Sequence, residues 1–372
     1  METSRRVVLS AGMAAAGATL AACGGKPEPV VTPTLTPTPS PSPTLTPSPS
    51  PSPSPTPEPI EPLTGRPLTD ASLLKRPAVA LKVPNLKVEQ PQVGLQEADI
   101  VFCQVNGFAY TRLCPVYHSS YPKAVGPIRS IRPVDIPLLS PMKPVFGNTG
   151  AADWVLAYAD KHSGYLERMT YLDWRGTGAF SVNKDRLYRA NGRTEYDRAI
   201  QAHPAKMAEL ATRNTKAPKP YFPFAPRGTE ASTSVGEKAK TIEVPYGSAH
   251  KYDMSYEYDK GSSTYLRSQP WGEHILAGGT RVSADAVLII AAAWEMGRIG
   301  YGKHAPDPIV DIIDAKGTFH YAHGGKVVKG TWKKGAVNKR FSFTLADGSP
   351  LLMAPGRTWV EMPAPSADLR IT

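Results

Sequence analysis

Three observations predict an α+β fold, with a mixed α/β first lobe followed by a β-rich second lobe. From Arg76 to Leu210 short apolar runs alternate with segments of helical spacing. Beyond Thr241 the pattern changes to short, regularly spaced strands with turn residues between them. Between the two stretches, Pro218, Pro220, Pro223 and Pro226 punctuate a segment that neither pattern continues through. The expected layout is a lipoprotein signal peptide over 1–22, an anchor and disordered Pro/Thr/Ser-rich linker over 23–65, an α/β lobe over 70–215, a Pro-rich linker and loop over 216–240, and a β-rich lobe over 241–363.

The N-terminal end carries an address. Arg5-Arg6 precede an apolar run from Val7 to Leu20 that is too short to span a bilayer and reads as an export signal. Leu20-Ala21-Ala22-Cys23 has the form of a bacterial lipoprotein box, which would place acyl chains on Cys23 and hold the mature chain on the outer face of the membrane. From Lys26 to Pro62 the chain is almost wholly Pro, Thr and Ser. Frequent proline favours polyproline II, so this stretch is a stiff spacer that packs no core and reaches on the order of 110 Å.

The formal charge is +11. Removing residues 1–22 takes away Arg5, Arg6 and Glu2 and leaves the balance basic, which outside a cell favours anionic wall polymer, lipid headgroups or nucleic acid. Two further cysteines, Cys103 and Cys114, lie in an expected hairpin turning at Asn106-Gly107. An exported location permits a disulfide between them, closing ten residues.

In the first lobe Arg76–Val83 reads as a buried strand, and the cysteine hairpin follows a turn at Gln92–Asp99. Val125–Asp135 is the stretch around which the chain is organised. Gly126-Pro127 signals a turn, and Pro133 with Asp135 opens a helix through Leu139. Between them Arg129 and Arg132 flank Ser130 at the entrance to that helix, a setting suited to a carboxylate or phosphate. The alternative is that both arginines pair with internal carboxylates such as Asp99 or Asp135. Lys143–Gly150 is a strand, Ala151–Lys161 a helix, and His203–Leu210 a helix with proline at its first position. In the second lobe strands are expected at 241–244, 251–259, 263–267, 286–294, 309–313, 317–322, 326–332, 341–345 and 358–362.

Gln90-Pro91-Gln92-Val93-Gly94-Leu95-Gln96-Glu97-Ala98-Asp99-Ile100-Val101, with Thr111-Arg112, His118 and the Gly126–Arg132 loop, resembles the start of the YerB-like lipoprotein family. Gly330-Thr331-Trp332-Lys333-Lys334, Asp347-Gly348 and Pro355–Val360 resemble its closing segment. The resemblance covers roughly 70–363. It implies an exported, usually lipid-anchored bacterial protein whose core is a domain of unknown function, and it implies no known reaction. Cys103 and Gln104 stand where that family has acidic residues, and Cys114 where it has a hydrophobe. This paired departure favours the disulfide.

Chemistry has few candidates. No Gly-x-Ser-x-Gly elbow or phosphate-cradling glycine loop occurs, and His320 and His323, three apart in a strand, face opposite sides. No metal set or cofactor is expected. Trp332 and Trp359 are read as core. What remains is an anion-binding set of Arg112, Arg129, Ser130, Arg132 and His203, supported by Asn85, Gln92, Asp99 and His118. The leading expectation is a binding module for an anionic envelope ligand that is not turned over. The alternatives are an envelope hydrolase or transferase using His118 or His203 as general base with Asp99, and a structural partner-binding protein.

Overall fold

The strand Thr358–Met362, the last long strand of the chain, lies in the middle of the largest sheet. It runs parallel to Ile100–Val105 on one side and to Ala286–Ile290 on the other. The computed structural model describes residues 58–107, 110–246, 253–300 and 305–372. The expected signal peptide, Cys23 and most of the expected proline-rich linker lie outside these residues, as does Phe108-Ala109 after Asn106-Gly107.

Outward from the central strand on one side come Ile100–Val105, Thr111–Tyr117, Val79–Leu81, Val145–Asn148 and Glu167–Thr170. On the other come Ala286–Ile290, Ala315–His323, Lys326–Lys334 and Glu237–Lys238. Val83–Pro84 and Phe341–Leu345 complete twelve strands by pairing with Thr111–Tyr117 and Lys326–Lys334. Residues from both halves of the sequence therefore share one continuous ladder. All five residues of Thr358–Met362 and of Ala286–Ile290 are buried, as expected of strands covered on both faces.

Helices cover one face. Asp135–Leu139 is capped by Tyr221, whose hydroxyl donates to the Leu138 carbonyl at 3.1 Å and whose ring meets Phe102 edge-on. Asp153–Lys161 links the parallel strands Val145–Asn148 and Glu167–Thr170. Pro204–Leu210 approaches the sheet closely because Gly147 has no side chain: a Cβ there would lie 2.5 Å from Leu81 and 2.8 Å from Met207. The proline-rich segment is seated on the body, with Tyr221 and Phe222 buried.

A second sheet of six strands lies on the other face. Its order is Gly272–Glu273, Thr264–Gln269, Met254–Asp259, Thr241–Val244 and Arg370–Ile371, with Ser283–Ala284 beside Thr264–Gln269. Trp359 and Glu361 alternate toward it along their strand. Arg267 lies between the layers, 4.6 Å from the Trp359 ring centre and 3.6 Å from the Glu361 carboxylate, and Tyr246 and Tyr256 donate to that same carboxylate. Trp332 and Trp359 are core residues, as their strand positions suggested.

Candidate functional site

Arg112 is opposite Gln104 in the register of the hairpin Ile100–Val105 and Thr111–Tyr117, on the helix-covered face. The arginine loop crosses the same end of the sheet. Its backbone is pinned on both sides: Arg129 N donates to Lys82 O at 2.8 Å, Ile131 N to Gly150 O at 3.0 Å, and Thr149 N to Arg129 O at 3.1 Å. Ile128 and Ile131 are fully buried, so the intervening Arg129 and the following Arg132 are carried outward.

Beneath the loop Asp135 is fully buried. Its carboxylate accepts from Arg132 N at 2.7 Å, Lys82 Nζ at 2.7 Å and Gln104 Nε2 at 2.6 Å. The pair Lys82–Asp135 thus fixes where Arg132 begins. Burial pulls the Lys82 pKa down, and Asp135 opposes that pull.

The three guanidinium groups open onto one cleft of about 450 Å³, also lined by Glu89, Asn106, Tyr110, Met296 and Asp307. Arg129 is held by Glu89, with Nε 2.8 Å from the carboxylate, and from outside the cleft by Asp197 at 3.0 Å. Arg132 reaches Asn106 Oδ1 at 2.6 Å and Asp307 at 3.3 Å. Arg112 differs from both. Among the described residues its one hydrogen bond runs from Nη1 to the Ser130 carbonyl at 2.8 Å. Burial, then the charges of Arg132 and Arg129, push its pKa down to about 9. A cation held in that setting gains from a bound anion more than a surface arginine would.

The structure gathers Arg112, Arg129 and Arg132 and leaves the other expected members elsewhere. Ser130 contributes its carbonyl, which orients Arg112, and its hydroxyl has no described role. His203 stands before the helix Pro204–Leu210, its ring between Lys123 O and Ser181 Oγ at 2.8 Å each. Asn85 belongs to the opposite face, bonded to Thr111 Oγ1 at 2.7 Å and Gln269 Nε2 at 2.5 Å. Gln92 joins Pro84 O to the buried His274 ring. Asp99 precedes the hairpin strand at the end away from Gln104, and braces the chain after it by accepting from Ser119 N at 2.9 Å, His118 N at 2.5 Å and Ser119 Oγ. Burial lifts the Asp99 carboxyl to about 6, and burial with Arg76 lowers the His118 ring to about 4. The link between Asp99 and His118 uses the His118 backbone, and neither His118 nor His203 lines the cleft. The hydrolytic alternative therefore loses its geometry.

The expected disulfide is corrected. Cys103 and Cys114 are both free and buried. Cys103 is opposite Leu113, and Cys114 is opposite Phe102. That offset of one residue sends the thiols to opposite faces of the sheet, toward Arg267 and toward the Lys82–Asp135 pair. Burial raises both thiol pKa values. The helix entrance is also satisfied internally, since the Asp135 carboxylate takes Arg132 N.

Sequence reasoning missed Glu89, Asn106, Tyr110 and Asp307 as lining residues. Asp307 comes from the two-stranded ribbon Trp294–Gly297 and Asp307–Val310, far along the chain, and no local pattern links it to Arg132. Glu89 carried a signal that went unread: a carboxylate just before Gln90-Pro91, in the segment leading to the hairpin.

Two family models match the chain: the "Protein of unknown function (DUF3048) N-terminal domain" over residues 63–211 and its "C-terminal domain" over 242–360. A Bacillus subtilis (strain 168) protein named "Putative lipoprotein YerB" is 26% identical over 310 residues, spanning 81% of this chain and 85% of that one. The crystal structure of Bacillus subtilis YerB matches with a TM-score of 0.66 at 23% identity, covering 84% of this chain and 99% of that chain, so the α+β fold is shared. Among the described residues no helix is long and apolar enough to cross a membrane.

Proposed function

The chain belongs to the DUF3048 family, and from that premise we propose that it is a membrane-anchored, exported binding protein whose arginine cleft holds an anionic ligand of the cell envelope without turning it over. The observation that carries this reading is Arg112, a guanidinium with one hydrogen bond to a neutral carbonyl, facing the same cleft as Arg129 and Arg132. A partly buried guanidinium whose remaining donors face a cleft gains charge-assisted hydrogen bonds when a carboxylate or phosphate arrives. Arg129 and Arg132 hold the walls through their own ion pairs and add positive potential.

The anchor is Cys23. Its support is the Leu20-Ala21-Ala22-Cys23 sequence after an apolar run, together with the name of the Bacillus subtilis relative. The spacer would carry the cleft away from the bilayer, toward anionic wall polymer or extracellular nucleic acid. Sedimentation of the full-length protein with purified wall polymer tests the binding reading, with Arg112→Ala as the control. Binding that persists in this variant removes it, and so does failure to bind both the polymer and soluble carboxylates or phosphates. Labelling cells with a radioactive fatty acid tests the anchor, and Cys23→Ser abolishes the label if Cys23 carries it.

A further inference from the structure

The charges that face the cleft set a limit on what can fill it. Its described lining holds three guanidinium groups and two carboxylates, Glu89 and Asp307, with Asp197 pairing Arg129 from outside, and Arg112 is the guanidinium for which the described residues give no ion pair. The two carboxylates are ion-paired on the walls, to Arg129 and Arg132. A ligand with one negative group can engage the open donors of Arg112 and keep clear of both. A second negative charge in the same volume approaches Glu89 or Asp307 and is repelled by it. Extended polyanions and pyrophosphates are disfavoured on this ground.

The remaining lining has a different chemistry. Leu86, Tyr110, Met296, Pro306 and Pro308 present apolar surface, and Asn106 with the two carboxylates presents hydrogen-bonding groups. An apolar wall facing carboxylate and amide acceptors suits a ring with one C–H face and several hydroxyls. Tyr110 is partly exposed and can pack against that C–H face. About 450 Å³ is within the range of small-molecule sites and holds one substituted ring.

Resting on the anion-binding reading, we infer that the cleft takes a singly charged sugar acid, either free or as the terminal unit of a chain. Its carboxylate meets Arg112, its hydroxyls meet Glu89, Asn106 and Asp307, and its ring lies along Tyr110 and Met296. Asp307 is the specificity-determining residue, because it is the less buried of the two carboxylates that repel a second charge.

Isothermal titration calorimetry on the full-length protein in detergent micelles at pH 8 tests this. The probes are glucuronate, N-acetylmuramate, glucose, glucose 6-phosphate, inorganic phosphate and an oligosaccharide ending in one glucuronate. Glucuronate or N-acetylmuramate binds at least about tenfold more tightly than glucose or the dianionic glucose 6-phosphate, and Arg112→Ala abolishes the difference. Equal binding of the oligosaccharide and free glucuronate assigns the site to chain ends, and loss of the oligosaccharide alone assigns it to the free acid. Asp307→Asn raises glucose 6-phosphate affinity by about tenfold relative to glucuronate, a swap that a merely structural Asp307 would not produce. If glucose 6-phosphate or phosphate binds more tightly than either sugar acid, in a way that needs Arg112, the sugar-acid inference falls and the anion reading stands. If no probe binds, the sugar-acid inference falls and the anion reading falls with it only when wall polymer also fails to bind; if Arg112→Ala leaves binding unchanged, both fall.

Discussion

Arg112 and Arg267 are both arginines packed against the hairpin Ile100–Val105 and Thr111–Tyr117, on opposite faces, and their surroundings differ in what is left over. Arg267 is fully enclosed between the two sheets. Its guanidinium donates to Tyr256 at 3.2 Å and to His274 Nδ1 at 2.9 Å, lies 3.9 Å from Cys103 Sγ, pairs with Glu361 and stacks on Trp359. Burial alone lowers its pKa, yet Tyr256, Glu361 and Cys103 outweigh it and the net direction is upward. Arg112 has one carbonyl and two arginine neighbours, and burial with those two charges outweighs the pull of Glu89 and Asp307, so its direction is downward. On the proposed reading the donors that Arg112 leaves unused toward the cleft are what an anion would meet. Full satisfaction marks a structural member.

The sharpest way to break this comparison is to make Arg267 resemble Arg112. Glu361→Gln preserves shape and leaves a buried cation without its counter-charge, which is expected to destabilise the fold by about 3–5 kcal/mol. Urea unfolding followed by tryptophan fluorescence measures it. A loss below 1 kcal/mol would mean that the two arginines are not energetically distinct.

Asp99 extends the comparison to a carboxylate. It accepts three hydrogen bonds, yet burial still raises its folded pKa to about 6 from 3.8. The folded state therefore holds the proton more tightly between those values, so stability from this group is greatest below pH 4 and declines as pH rises through 6. The decline amounts to about 3 kcal/mol. Asp99→Asn should flatten the stability profile of the protein between pH 4 and 6, and an unchanged slope would refute the assignment.

Arg112→Ala should behave oppositely to the Glu361 change. Stability moves by no more than about 1 kcal/mol, because the one charge-assisted hydrogen bond lost is offset by relief of the repulsion from Arg132 and Arg129, while anion affinity falls by about 1.5–3 kcal/mol. Thermal unfolding beside calorimetry separates the two quantities. The smallest effect belongs to the cysteines. Without reductant, both alkylate in denaturant and neither does so readily when folded. Cys114→Ala costs about 1 kcal/mol, and a mass consistent with a disulfide would overturn the placement of the thiols.

Local pattern carried the elements well. The helix Pro204–Leu210 begins at its proline, and Thr241–Val244, Phe341–Leu345 and Thr358–Met362 have the limits that alternation suggested. The expected strand 286–294 instead ends at Ile290 and resumes at Trp294, where the ribbon that brings Met296 and Asp307 to the cleft begins. A continuous apolar run cannot report that break, because hydrophobicity does not encode which face a strand turns to next.

The sequence by itself determined the Pro/Thr/Ser-rich composition of residues 26–62, the α+β class and the close spacing of Arg129 and Arg132, since each rests on residue type and short-range spacing. Tertiary structure decided the rest. Thr358–Met362 enters the sheet beside Ile100–Val105 through hydrogen bonds between residues more than 250 positions apart. A one-residue register offset sends Cys103 and Cys114 to opposite faces. The partners of Arg129, Arg132 and Arg267 arrive from Glu89, Asp307 and Glu361 across such pairings. Backbone ladders and burial set those meetings along the described residues, and there Arg112 is left with a hydrogen bond to one backbone carbonyl.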